Sequence, residues 1–317
     1  MREESFTLPA FAKINLDLRI VGRRLSDNFH EIRTVFQTIT LHDQLTFRKI
    51  DDGRINLTCS DPSIPADERN LVYRAALSLR RRYGVREGAF IRLEKRIPAQ
   101  AGLGGGSSDA AVALLGLSHL WKLKIRGDDL VNIGAELGSD VPFFFTGGTA
   151  LGTGLGTNIY PLNDAPHRNL LVIMPGVRVS TTDAYTALNA PPLTKADSAA
   201  ILPVSYADTQ ISDSLYEVMR NDFEPVIYKF YPEIERTRRV LAEAGARKVL
   251  LAGSGASVFG VFDDDESCER ARGTLKNEDD WQVFMCATVS RGSYRNALGR
   301  CAEFLQPSTP NNQEIGA

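Results

Sequence analysis

From Phe11 to Ile20 the chain alternates strictly between apolar and polar positions. Ala12, Ile14, Leu16 and Leu18 fall on one side, Lys13, Asn15, Asp17 and Arg19 on the other. A period of two over this length predicts a β-strand with one face buried and the other solvated. TVFQTI, LTFRKI, RINLTC and AFIRLEK predict further strands. At NLVYRAALSLRRRY, residues 70–83, the spacing becomes helical, with Asn70 placed as N-cap and Gly84 as stop. AAVALLGLSHLW predicts a long helix to about Leu123, and DDLVNIGAEL a second one closed by Gly138. VPFFF reads as the start of another strand region.

Turn residues in LNDAPHRN then precede a fresh buried strand, LLVIM, and residues 189–205, rich in Pro, Ala and Ser, read as a loop. Helical patterns recur at SLYEVMRNDFEPVIYKF and PEIERTRRVLAEAG. The apolar strands KVLLA and SVFGVF flank GSGA, CERARGTLKN reads as helix, WQVFMCATVS as strand and PSTPNNQEIGA as a disordered tail. Strands and helices mix without regular βα alternation. The expected architecture is therefore α+β, with a boundary near 158–164 dividing residues 1–160 from 161–306, and a tail at 307–317.

Length supports this division, because 317 residues exceed the size at which one core stops growing. A net charge of -2 leaves no global basic footprint for nucleic acid. MREESFTLPA lacks an apolar leader core, and no run reaches the length of a membrane span, so a cytoplasmic protein without nucleic-acid or membrane partners is expected. The four cysteines, Cys59, Cys268, Cys286 and Cys301, lie far apart without CxxC spacing, which favours free thiols over disulfides or zinc.

The densest chemical signal is PAQAGLGGGSSDAA, residues 98–111. Pro98 should end the preceding strand. The glycines let backbone N–H groups converge, and Ser107 or Ser108 could cap the helix that follows. A loop of this kind at a helix N-terminus can bind an anion, although a tight strand-to-helix connection that binds nothing explains the glycines equally well. The helix dipole contributes only about 0.3–2 kcal/mol, against roughly 8 kcal/mol for micromolar affinity. The loop can orient a triphosphate but cannot be the whole nucleotide site. No lysine precedes Ser107 as a Walker loop requires, and the βαβ context of a dinucleotide site is missing. LGTGLGT, residues 151–157, has no helix after it and reads as a hairpin turn.

Taken whole, P-x-x-x-GLGGGSS-D-AA closely resembles the ATP-binding motif of the GHMP kinase family. AKINLDL near the N-terminus, LGSDVPFF at 137–144, MPGVRVST, NDFEPVI and LAGSGASVFG extend the resemblance from about Ala12 to Phe262. It implies an N-terminal domain like ribosomal protein S5 domain 2, a ferredoxin-like C-terminal domain and an active site in the cleft between them. It also implies ATP with Mg²⁺ as donor, bound by Pro98, Ala99, Gln100, Ala101, Gly102, Leu103, Gly104, Gly105, Gly106, Ser107 and Ser108. By position, Asp140 matches the family's catalytic base and Lys13 its activating lysine. A hydroxyl must lose its proton as phosphorus is attacked, and a carboxylate can take it. A nearby ammonium lowers the carboxylate's pKa. Read alone, Lys13 is a solvated strand residue and Asp140 a turn carboxylate.

On the acceptor side the chain has Asn28-Phe29-His30 where the resemblance expects G-Y-H. Asn tolerates positive φ and can preserve the turn. Phe29 keeps a ring for stacking on cytosine without the hydroxyl, His30 matches a residue that hydrogen-bonds the base, and Tyr185 matches an aromatic position on the ring's other face. Asn15 and the GSGA segment, Gly253, Ser254 and Gly255, match further substrate positions; alone, GSGA is an ordinary hairpin turn. The implied reaction is phosphorylation of the 2-hydroxyl of a diphosphocytidyl-methylerythritol, by a monomer or homodimer. A homoserine or mevalonate-type kinase and a non-catalytic S5-like RNA-binding module are the rival readings. Metal ligands are not legible.

Overall fold

The computed structural model describes residues 5–188, 190–193, 219–275, 278 and 280–305. The loop expected at 189–205 apart from 190–193, the SLYEVM half of a predicted helix apart from Met219, and the 307–317 tail lie outside them. Two sheets organise the molecule. The first follows β3(Ile55–Cys59), β4(Gly88–Glu94), β2(His30–Ile50), β5(Thr149–Gly154) and β6(Asn158–Pro161), with β1(Ser5–Arg23) paired along β2. All its pairs are antiparallel except β3 with β4. The second sheet, β10(Gln282–Ala287), β7(Asn169–Met174), β9(Val258–Phe262), β8(Lys248–Leu251), is antiparallel throughout.

TVFQTI and LTFRKI, expected as separate strands, are two halves of the single strand β2. The alternation of β1 holds, but its polar side is not solvated. Lys13, Asn15 and Asp17 are 3%, 3% and 2% exposed. The edge of β1 is joined by residues from the far half of the chain: Leu18 N–H donates to the Arg220 carbonyl (2.8 Å) and Asp222 N–H to the Leu18 carbonyl (3.0 Å). VPFFF is a 3-10 helix, Val141–Phe145, rather than a strand, because Pro142 at its first turn favours helical dihedrals and all five residues are buried.

Helix α1(Leu71–Tyr83) has the expected Asn70 cap, whose side chain accepts from Val72 N–H, and a left-handed Gly84 at its end. Helix α2(Gly105–Leu120) is buried from Ser108 to Ser118. Its apolar residues surround the axis because it packs against α1, β1, β2 and the 3-10 helix; a Cβ on Gly116 would stand 2.5 Å from the Phe47 ring. Helix α3(Gly127–Leu137) ends at Gly138 as predicted, in extended backbone. Beyond the second sheet's first strand lie α4(Thr181–Leu188), α5(Glu224–Phe230), α6(Pro232–Glu243) and α7(Asp265–Thr274). α8(Arg291–Ala297) returns to the first core, where Tyr294 is wholly buried and donates to the Phe144 carbonyl (2.5 Å). The residues 151–157 form the β5–β6 hairpin, as expected. All four cysteines are free thiols. No helix among the described residues is long and apolar enough to cross a membrane.

Candidate active site

Strand β4 stops before Pro98, and the chain turns through the glycine loop into α2. The loop needs glycine at two positions for stated reasons. Gly102 has φ +77, and a Cβ there would lie 1.9 Å from the Ala252 carbonyl; Gly104 has φ +70, and a Cβ would meet Lys13 Cγ at 3.0 Å. Gly104, not a serine, is the N-cap of α2, and no side chain caps the helix. The serine cap expected from sequence is absent because the cap position falls three residues earlier. The first N–H groups of α2 consequently keep no side-chain partner and face the cleft beside the loop. The Ser108 hydroxyl is buried without a partner.

A cavity of about 650 Å³ opens along this loop. Pro98 to Ser107 line it without a break, together with Lys13, Asn15, Asp140, Tyr185, Gly253 and Ser254. Ser108 and Gly255 do not; Gly255 packs instead toward Leu251 and Val179. Lys13 Nζ lies 3.2 Å from Asp140 Oδ2 and donates to Asn15 Oδ1 at 3.0 Å. Asn15 Nδ2 donates to Thr34 Oγ1 (2.7 Å), which donates to the Asp17 carbonyl (2.8 Å). The ammonium is thus fixed by a hydrogen-bonded chain along β1 and β2 and lies 5.4 Å from the centre of the Phe36 ring. Asp140, just before the 3-10 helix, keeps 30% of its side chain exposed toward the cleft. The sequence placed these two residues 127 positions apart (140 − 13), and the fold brings them into contact.

A second cavity of about 620 Å³ contains Arg23, Asn28, Phe29 and His30, and shares Ser139, Leu155, Thr181 and Tyr185 with the first. Asn28 adopts φ 62, the left-handed turn expected of it. Phe29 is 58% exposed. His30 does not leave a gap opposite Tyr185: the two rings are stacked, centroids 4.8 Å apart. Tyr185 rests edge-on against Phe223 at 4.9 Å. Burial pushes the Tyr185 phenol up to about 12, with Asp140 adding, so it is a protonated donor at neutral pH. Burial, helped by Arg23, lowers the pKa of His30.

Sequence reasoning missed a buried cluster under the loop. Lys95 Nζ bridges Asp43 and Asp109, lying 2.8 Å from Asp109 Oδ2, and Asp109 Oδ1 has no partner. Burial raises the Asp109 carboxyl above the usual carboxylate range, Asp43 adds to this and Lys95 opposes it. Lys95 is itself raised, because the two carboxylates outweigh its desolvation. The only sequence sign was Asp109 itself, inside the glycine motif. The NDFEPVI motif contains Asn221 but gives no sign of a role for it.

The glycine loop at a helix N-terminus, the lysine–aspartate pair and the aromatic cavity thus adjoin one another. Residues 70–148 match the GHMP kinases N-terminal domain and residues 209–279 the GHMP kinases C-terminal domain. The chain belongs to the GHMP kinase family. It is 42% identical, over 90% of its length and 98% of the relative's, to 4-diphosphocytidyl-2-C-methyl-D-erythritol kinase of Pelotomaculum thermopropionicum. A crystal structure of 4-(cytidine 5'-diphospho)-2C-methyl-D-erythritol kinase superposes with a TM-score of 0.73 at 32% identity, covering 90% of this chain and all of that one. Homoserine kinase from Cytophaga hutchinsonii shares the fold, with a TM-score of 0.69 at 19% identity over 92% of this chain and 96% of that one.

Proposed function

We propose that this chain transfers the γ-phosphate of ATP to the 2-hydroxyl of 4-diphosphocytidyl-2-C-methyl-D-erythritol, a step of non-mevalonate isoprenoid precursor synthesis. The observation that carries this reading is the Lys13–Asp140 pair at 3.2 Å, where a glycine-loop cavity meets a cavity walled by rings. Asp140 accepts the proton of the attacking hydroxyl as the alcohol oxygen bonds to the γ-phosphorus, while the bond from that phosphorus to the β-phosphate oxygen breaks and ADP leaves. Lys13, 3.2 Å away, holds the Asp140 carboxylate in place. A Cβ on Gly253 would lie 3.5 Å from its Nζ, so the ammonium also faces the phosphate end of the cleft. The loop N–H groups and the start of α2 hold the donor's phosphates, so positioning and electrostatics carry much of the rate. At the other end Phe29, His30 and Tyr185 take the cytosine by stacking and hydrogen bonding.

Mg²⁺ accompanies ATP in this reading. Among the described residues no cluster of three or more His, Cys, Asp or Glu forms a protein cage for an ion. That suits Mg²⁺, which keeps several waters and uses few protein oxygens beside phosphate. The oxygens that fit it here are Ser107, on the cavity wall, and the buried, unpartnered Oδ1 of Asp109. When bound, it neutralises charge on the phosphates. The chain acts in the cytoplasm, as a monomer or homodimer.

The test is phosphate transfer from ATP to the CDP-linked methylerythritol, the free tetrol, homoserine and mevalonate. Transfer to the CDP-linked compound alone is expected. Preference for homoserine or mevalonate would replace the acceptor, and absence of any transfer would return the chain to a binding role.

A further inference from the structure

Residues 220–223 cross from one half of the molecule to the other, and each makes a separate connection. Leu18, on the strand carrying Lys13, forms a parallel bridge to Asn221 and exchanges backbone hydrogen bonds with Arg220 and Asp222. The Asp222 carboxylate accepts from Ile20 N–H at 2.8 Å. The Phe223 ring supports Tyr185. The Asn221 amide turns inward, 3% exposed, and its Nδ2 donates to two carbonyls of the third glycine segment, Leu251 at 2.9 Å and Gly253 at 2.7 Å. Its Oδ1 accepts from Phe223 N–H at 3.0 Å. Both amide protons and the oxygen are therefore used, and no other side chain reaches those two carbonyls among the hydrogen bonds of the described residues.

The segment that Asn221 holds borders the reacting end of the cleft. Gly253 has φ +57, and a Cβ on it would lie 3.0 Å from the Gly102 carbonyl and 3.5 Å from Lys13 Nζ. Ser257 N–H donates to the Ala101 carbonyl at 3.2 Å. The Ser254 hydroxyl is 3.2 Å from that of Thr181 at the start of α4. A shift of Gly253 would consequently displace the ATP loop, the Lys13 surroundings and the wall near Tyr185 together.

We propose that Asn221 is a positioning residue for phosphoryl transfer: its amide locks the Gly253–Ser254 turn against the ATP loop and Lys13, and so sets the alignment of donor and acceptor. This inference rests on the reaction proposed above. It assigns Asn221 no contact with either substrate. Its loss therefore lowers the rate of the bound complex more than it weakens binding, since misplacement of about 1 Å can cost about 100-fold in rate.

The experiment compares Asn221→Ala, the isosteric Asn221→Asp, and Gly253→Ala with the wild-type chain. Leu241→Ala, a cavity in the second core away from the turn, serves as a control for lost stability. Each variant is assayed well below its own melting temperature, with kcat and both KM values measured separately. For Asn221→Ala we expect kcat to fall about 10- to 100-fold while KM for ATP stays within about threefold. Asn221→Asp keeps the acceptor for Phe223 N–H but sets an oxygen against two carbonyls, and should reproduce the loss even if the alanine variant does not fold. Gly253→Ala should show the same kinetic pattern.

A kcat loss in Asn221→Ala or Asn221→Asp no larger than in Leu241→Ala at equal loss of melting temperature would overturn the inference. So would a loss confined to KM for ATP. Impairment in Gly253→Ala with normal kcat in both Asn221 variants would reject Asn221 and leave the proposed reaction intact. Normal kcat in all three would remove the turn itself from the site. Absence of transfer by the wild-type chain would instead reject the reaction, and this inference with it.

Discussion

The two ends of the cleft are built differently. At the phosphate end, a Cβ on Gly102 would strike the Ala252 carbonyl and one on Gly104 would press on the Lys13 side chain, and the side chains of Lys13, Lys95 and Asp109 are buried. At the acceptor end, a hairpin tip closed by two backbone bonds between Arg24 and residues 28 and 29 presents Phe29 largely to solvent. The packed end constrains the phosphate site, because a side chain at Gly102 collides with backbone. The open end can exchange one ring for another at little structural cost. Asn28-Phe29 departs from the related pattern at the end where departure is cheap.

This contrast predicts where substitutions act. Asp140→Asn, at the packed end, keeps shape and removes the base, and kcat should fall by about 10²–10⁴ while ATP affinity stays nearly unchanged. Steady-state kinetics and a nucleotide-binding titration measure both quantities. Near-normal turnover would remove Asp140 as base. Lys13→Ala should likewise lower kcat more than ATP binding. At the open end the effect moves to acceptor KM. Tyr185→Ala removes a stacking surface worth about 1–3 kcal/mol per base, or roughly 5- to 150-fold in acceptor KM. Phe29→Tyr should change it by no more than about threefold, because a ring stays in place. A large loss of kcat in Tyr185→Ala would erase the division between the two ends.

The packed end was also the more legible one in the sequence, but only in part. Glycine density, the missing Walker lysine and the capped helix Asn70–Tyr83 could be read from neighbours in the chain. The face of β1 could not. Alternation reports that Lys13, Asn15 and Asp17 share a side, and the usual inference is a solvated side. Here the three side chains are buried and paired, Lys13 with Asn15 and Asp140, Asn15 with Thr34 and Asp17 with Arg19. Asp140 and Thr34 come from parts of the chain that alternation does not report. VPFFF failed for a different reason, since a short apolar run carries no period and strand and buried helix look alike. The Lys95–Asp43–Asp109 cluster joins residues 14 and 52 positions apart with no shared motif, so only the fold reveals it. The stacking of His30 on Tyr185 was equally hidden: the sequence placed both rings around one base, without showing that they meet each other.

That ring contact gives an expected effect specific to the open end. Burial, with Arg23 adding, lowers His30 below its ordinary value near 6.5, so the folded protein favours the neutral ring. A depressed pKa contributes stability that is present above the unfolded value and lost as pH falls through the folded one. Acidification therefore charges His30, opposes its placement beside Arg23 and Tyr185, and weakens the acceptor end first. Tyr185, at about 12, does not titrate in this range. Acceptor KM should rise as pH falls below the ordinary histidine range, with KM for ATP nearly level. In His30→Asn the acid rise should disappear, whatever the variant's own KM. A rise of equal size in that variant would assign the titration to a group other than His30, and a parallel rise in KM for ATP would place it at the phosphate end.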